Sequence, residues 1–209
     1  MRDILEVLIL WAWILVRLWA PLDLKPAAGL ELAWTGGALA YLVYLTKRHR
    51  YDARTVGFRL DNFRPALLRI LSALAAFAVA VLAFAYPVHL QPQRMNPLLH
   101  WAMYFFWAVL QQLLLQAYVT LPLKVHLKSP DLSALASAVI FASAHLPNPT
   151  LTLVTFVGGF VLTALYLRER NLFVLALGHS LIAVLMSAYL PHHWLPNMYV
   201  GRFYLVAPR

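Results

Sequence analysis

Apolar residues run through this 209-residue chain in long stretches, broken by short clusters of Pro, Lys and Arg. A stretch of roughly 20 apolar residues wound as a helix matches the hydrocarbon thickness of a bilayer. On that length scale the pattern predicts spans at 4–21, 27–46, 65–86, 98–121, 132–147, 150–168 and 171–190, with a tail from Pro191. The expected fold class is therefore all-α, a polytopic membrane helix bundle of about seven transmembrane helices. Its first part, 1–97, carries helices 1–3 and a basic loop at 47–64; a helical core follows at 98–190, and 191–209 forms the tail. The apolar run from Ile4 to Val16 reads as a retained first span, because Arg17, Leu18 and Trp19 stand where signal cleavage needs small residues.

Composition agrees with the pattern: 62% of the residues are hydrophobic and 12% charged, and the mean hydropathy is +0.69. The net charge of +9 would suggest nucleic acid in a soluble protein. Here the basic residues sit between apolar runs, where positive charge retains loops in the cytoplasm and meets anionic lipid, so no nucleic-acid partner is expected. With the N-terminus inside, one side receives Arg2, Lys47, Arg48, Arg50, Arg54, Arg59, Arg64, Lys124, Lys128, Arg168 and Arg170. The other side receives Lys25, Arg94, Arg202 and Arg209. The expected location is a bacterial inner membrane with the N-terminus cytoplasmic. Within the loop, Val56 to Arg59 reads either as a short interfacial segment, with Phe58 and Phe63 dipping into headgroups, or equally as part of an ordinary basic loop. The chain has no cysteine, which excludes disulfides, thiolate ligands, a cysteine nucleophile and cysteine lipidation.

In hydrocarbon the informative residues are the polar ones, because such groups must pair or face a cavity. Gln111, Gln112 and Gln116 fall in the fourth span, His145 near the end of the fifth and His179 in the seventh. From the helical rise, Gln111 lies about 15 Å deep, His145 about 20 Å and His179 about 12 Å. Three helices thus deliver polar groups to a similar level. Gln112 and Gln116 share a face, and Gln111 is turned from Gln112 by about 100°. Each residue alone is also compatible with ordinary interhelical hydrogen bonding.

These positions, in their order and spacing, resemble the CPBP family of intramembrane proteases, which includes the CAAX prenyl endopeptidases and bacterial Abi-type proteins. The family's first motif, a Glu pair followed four residues later by Arg, falls on Gln111, Gln112 and Gln116. The second, Phe-x-x-x-His, is intact as Phe141 to His145 and is followed by Leu146-Pro147-Asn148. The third, His-x-x-x-Asn, falls on His179 to Ala183, and the run from Gly158-Gly159-Phe160 to Asn171-Leu172 is similar to the family's connection between motifs. The resemblance covers 98–190 as a CPBP-like core. It implies an endopeptidase in which the first glutamate and the histidines activate water and the third motif stabilises the oxyanion. It also implies a peptide or membrane-protein substrate, beside membrane lipids, as partner.

The chain departs from the family where Gln111, Gln112, Gln116 and Ala183 replace Glu, Glu, Arg and Asn. A carboxamide has no useful basicity near neutral pH, so Gln does not inherit the glutamate's role unchanged. Exchange of Glu together with Arg neutralises the site as a unit, since an unpaired buried Arg is costly. The candidate catalytic set is then Gln111, Gln112, Gln116, His145 and His179. Glu31 of the second span is an outside source of a carboxylate, although its place near a span end marks it rather as a cap or interfacial residue. No cofactor is assigned; a divalent metal such as zinc would have His145 and His179 as its only strong ligands. The sequence contains no Gly-x-Ser-x-Gly, no His-Glu-x-x-His and no intramembrane Asp pair. Two functions lead, an endopeptidase and a catalytically silent relative that binds a membrane partner; a transporter or channel component is the weaker third, because the buried polar groups carry almost no fixed charge.

Overall fold

A computed structural model describes residues 2–20, 28–85, 97–190, 194–195 and 198–206, and the elements formed by these residues are all helices. They are α1 (Arg2–Trp19), α2 (Ala28–Arg48), α3 (Ala53–Val56), α4 (Phe63–Ala85), α5 (Pro97–Leu115), a π-helical segment (Gln116–Thr120), α6 (Leu121–Leu127), α7 (Pro130–Ser143), α8 (Pro149–Glu169), α9 (Leu172–Tyr189) and α10 (Arg202–Val206). The tail histidines His192 and His193 lie outside the described residues. The all-α expectation holds.

Among the described residues, four stretches are long and apolar enough to cross a membrane: Phe63–Ala83, Trp101–Leu127, Pro149–Glu169 and Leu172–Tyr189. The other three expected spans are also helical but fall short of that measure for different reasons. Arg2, Asp3, Glu6 and Arg17 charge α1, and Gly, Thr and Glu dilute α2. The 14 residues of α7 give a helix of about 21 Å. The chain is an integral membrane protein on the strength of the four.

The expected fourth span is longer than its apolar run implies, because α5, the π segment and α6 form one continuous helix. Pro122 accounts for the change in winding. It has no N–H to offer the Tyr118 carbonyl, and its ring would press on that carbonyl in an α-turn. A wider turn relieves both, and the Leu121 N–H reaches back to the Gln116 carbonyl. This helix is the central post of the bundle: 61% of its apolar window is buried, against 17% for α4 at the periphery.

Around the post, α9 packs on α5 and α4, and α7 packs on α8. Gly178 lets α4 approach α9, since a Cβ there would stand 2.4 Å from Ile70 Cδ1. The starts of α7, α8 and α9 are set by Ser129, Asn148 and Asn171, whose side-chain oxygens accept from the N–H groups of Leu132, Leu151 and Val174.

The basic loop at 47–64 is part of the packed structure. The Tyr166 hydroxyl donates to the Val56 carbonyl at 3.0 Å, the Leu172 N–H donates to the Gly57 carbonyl at 2.8 Å, and Asn171 Nδ2 donates to Asn62 Oδ1 at 2.8 Å. Phe58 and Phe63 pack against the core formed by Ile70, Tyr166 and Leu172. The turn between α8 and α9 offers them apolar surface that headgroups do not.

A buried carboxylate joins α1 to α2. Glu6 accepts from Arg48 Nε at 2.5 Å and meets His49 Nε2 at 2.8 Å. At the opposite end, the tail binds the turn after α7: the Gly201 N–H donates to the Leu146 carbonyl at 2.7 Å, and Asn148 Nδ2 donates to the Tyr199 carbonyl at 3.3 Å.

Candidate active site

The sequence-predicted polar residues converge. Gln111, His145 and His179 line one cavity of about 200 Å³ between α5, α8 and α9, to which Met198 and Val200 of the tail also contribute. Gln111 and His145 also border a second cavity of about 210 Å³ on the side of α1, walled by Trp11, Ile14 and Leu18. Gln112 and Gln116, fully buried, lie behind the cavity and hold its wall.

The polar groups form one chain of hydrogen bonds. Gln116 Nε2 donates to Gln112 Oε1 at 3.0 Å and to Thr163 Oγ1 at 3.1 Å. Gln116 Oε1 stands 3.1 Å from Thr120 Oγ1, which is itself 2.9 Å from Ser137 Oγ. With Gln112 Oε1 taken by Gln116, the Gln112 amide nitrogen donates to His179 Nδ1 at 3.0 Å. That bond fixes the remaining proton of a neutral His179 on Nε2.

His145 is held the other way round. It sits in the turn that follows α7, and its Nδ1 is 2.8 Å from the Phe141 carbonyl. A carbonyl only accepts, so Nδ1 carries the proton and Nε2 keeps a lone pair. Phe141, the first residue of the same motif, touches both imidazoles, with ring centroids 4.8 Å from His145 and 6.0 Å from His179. The Tyr104 ring flanks His179 at 6.2 Å. One histidine therefore offers an acceptor and the other a donor.

Gln111 completes the wall with an acceptor in need of a partner. Its Oε1 is buried and has no hydrogen-bond partner among the described residues. An unsatisfied buried acceptor is costly, by about 1–3 kcal/mol, and such atoms are few in native structures. Ala183, in the place of the family's Asn, is buried and lines the cavity without adding a polar group. Glu31 lies in α2, near its start, and its side chain is outside the described residues.

The donor set does not suit a metal ion. Both Nδ1 atoms are spent, His179 Nε2 bears a proton in this arrangement, and the remaining Gln111 oxygen is a weak ligand without charge. The group of His, Asp and Glu close enough to share an ion among the described residues is Asp3, Glu6 and His49. There the Glu6 oxygens are already paired with Arg48 and His49.

Sequence reasoning missed the hydroxyls that anchor the glutamines. Thr120, Ser137 and Thr163 are small residues on helices, and their only signal was position: Thr120 lies four residues beyond Gln116. The tail residues Met198 and Val200 gave no signal, because their contribution depends on docking of the tail on the turn after α7, through the Gly201 N–H and the Leu146 carbonyl.

Residues 93–185 match the family model described as type II CAAX prenyl endopeptidase Rce1-like. The matched segment contains all five predicted site residues, and over it the chain is similar to that family. Comparison with curated proteins and with solved structures finds no match.

Proposed function

With residues 93–185 carrying the CAAX-endopeptidase pattern, we propose that this chain is an intramembrane endopeptidase of the CPBP/CAAX type that cuts a membrane-associated peptide segment. The observation that carries the reading is the opposed protonation of the two histidines beside the unpartnered Gln111 oxygen. A water between His145 Nε2 and Gln111 Oε1 would donate one proton to each, leaving a lone pair for attack on the peptide carbonyl carbon. As the new C–O bond forms, the water's proton passes to His145 Nε2. The carbonyl oxygen becomes an oxyanion that accepts from His179 Nε2–H. Collapse of the intermediate breaks the C–N bond, and the His145 imidazolium returns its proton to the leaving nitrogen. Gln112 and Gln116 are positioning residues: they hold the tautomer of His179. The basic loop and the ends of α6 and α8 face the cytoplasm of a bacterial inner membrane in this reading, in keeping with the charge asymmetry.

A second reading, a catalytically silent relative that retains a membrane partner, is favoured by the neutral Gln112–Gln116 pair where the family carries charge. Cleavage of a broad peptide library by the protein in nanodiscs separates the two. Wild type is expected to cleave, His145→Ala to lose the activity, and His179→Ala to reduce it about 100-fold or more, as expected for loss of one oxyanion donor. A wild type that cleaves nothing while still retaining a membrane partner on affinity capture sinks the endopeptidase reading.

A further inference from the structure

A third cavity, of about 420 Å³, lies near the other end of the central helix, among the ends of α1, α2, α6 and α8. Its wall includes Lys124, Arg170 and His49, the hydroxyl residues Tyr51 and Thr55, and a single carboxylate, Asp3. The charge is not balanced inside the wall. Asp3 is engaged by Arg48 at 3.4 Å, and His49 by Glu6 at 2.8 Å. Arg2, Arg48, Arg54, Arg59 and Arg69 all have carboxylate partners. Lys124 and Arg170 have none among the described residues, although both are half-buried. Two half-buried cations beside a polar cavity, without counter-charge, leave a site whose missing component is an anion.

The backbone at Arg170 strengthens the point. It ends α8 at φ 47°, ψ 54°, a left-handed position that glycine fills with least strain. A basic residue there also complements the helix dipole. Lys128 does so at the end of α6, at φ 55°, with its side chain exposed. Arg170 differs in lining the cavity. Burial pushes the Tyr51 hydroxyl up to about 12, so it stays a proton donor across the physiological range.

We propose that this cavity binds a phosphate-bearing anion, with Arg170 and Lys124 supplying the charge and Tyr51 and Thr55 supplying hydroxyl donors. A guanidinium fork matches two phosphate oxygens, and an ammonium adds a point charge. The phosphate can come from an anionic lipid headgroup or from solution, and the arms of the test separate these sources.

The test titrates full-length protein in detergent with dioctanoyl phosphatidylglycerol, dioctanoyl phosphatidylcholine or inorganic phosphate, read by calorimetry. Wild type binds phosphatidylglycerol saturably and phosphatidylcholine at least about tenfold more weakly, and Lys124→Gln and Arg170→Gly each weaken the phosphatidylglycerol affinity about tenfold, the value of one charge-assisted hydrogen bond. Arg170→Gly relieves the left-handed strain and keeps or raises the unfolding temperature, so its lost affinity is not lost fold. Lys128→Gln leaves binding unchanged. Tight binding of inorganic phosphate that competes with the lipid assigns the site to soluble phosphate; its failure to bind assigns the site to the headgroup. The proposal is overturned if neither anion binds, if phosphatidylcholine binds as well as phosphatidylglycerol, if both cavity variants bind like wild type, or if Lys128→Gln weakens binding as much as they do.

Discussion

Replacing Gln112 with Glu reverses one hydrogen bond and with it the chemistry of a histidine. In the native chain the Gln112 amide donates to His179 Nδ1 at 3.0 Å and accepts from Gln116 at 3.0 Å. In Gln112→Glu the oxygen facing Gln116 keeps its donor, but the other oxygen meets a bare Nδ1 at the same distance. Two bare acceptors cannot stay there, so a proton must lie between them, and with the carboxylate ionised it sits on Nδ1. Burying a carboxylate costs several kcal/mol, while each hydrogen bond to a charged group returns about 1.5–3 kcal/mol. Two such bonds offset most of the penalty, so the variant is expected to fold within about 2 kcal/mol of wild type. Stability is thus a poor readout, and the tautomer is the informative one. Nitrogen-15 spectra of histidine-labelled protein at neutral pH should show His179 with a protonated Nε2 and a bare Nδ1 in wild type. Gln112→Glu should give a protonated Nδ1. A wild-type His179 already protonated on Nδ1 would refute the assigned direction of the chain and the oxyanion role that rests on it; spectra unchanged in the variant would instead show that its carboxyl is neutral and donates to Nδ1.

Other expectations follow from the same geometry. Thr163→Val removes the acceptor of the second Gln116 N–H and should destabilise the protein by about 1–3 kcal/mol, read as a lower unfolding temperature in nanodiscs. Gly178→Ala places a methyl group against Ile70 Cδ1 and should cost about 1–3 kcal/mol; adding Ile70→Val removes that atom and should restore most of the loss in a double-mutant cycle. Hydrogen bonding to Arg59 holds the Asp61 carboxyl down at about 2. The stabilisation from that pair is complete above the unfolded carboxyl value of about 3.9 and is lost as pH falls through about 2, so a carboxyl-carbon titration of Asp61 should find its midpoint near the lower value.

The helices were legible because hydrocarbon length and polarity are one-dimensional properties. Glutamines and histidines in apolar runs announced the site for the same reason: lipid gives them no partner. The depth argument brought Gln111, His145 and His179 together, and they share a cavity. What the chain did not reveal is which atom faces which. Gln112 and Gln116 were expected on one helical face, and they are, yet their role depends on Thr163, 47 residues further on in another helix. The basic loop read as a connection at the membrane surface because its charges dominate the composition. Its backbone carbonyls at Val56 and Gly57 decided otherwise by receiving Tyr166 and Leu172. Backbone acceptors are the same at every residue, so no side-chain pattern could mark them. The length of the central helix was also underestimated, since Lys124 and His126 end the apolar run before the helix itself stops at Leu127.

The wide turn between Gln116 and Thr120 bears on how this chain should be aligned with other sequences. One residue inserted into an α-helix turns everything beyond it by about 100°. A π turn absorbs that rotation locally, so the face holding Gln111 and Gln112 and the face holding Lys124 are phased independently. A chain with one residue fewer between these points could present both faces unchanged on an unbroken α-helix. Across this segment, then, a one-residue gap preserves structural correspondence, whereas a gapless comparison would match residues that point in different directions.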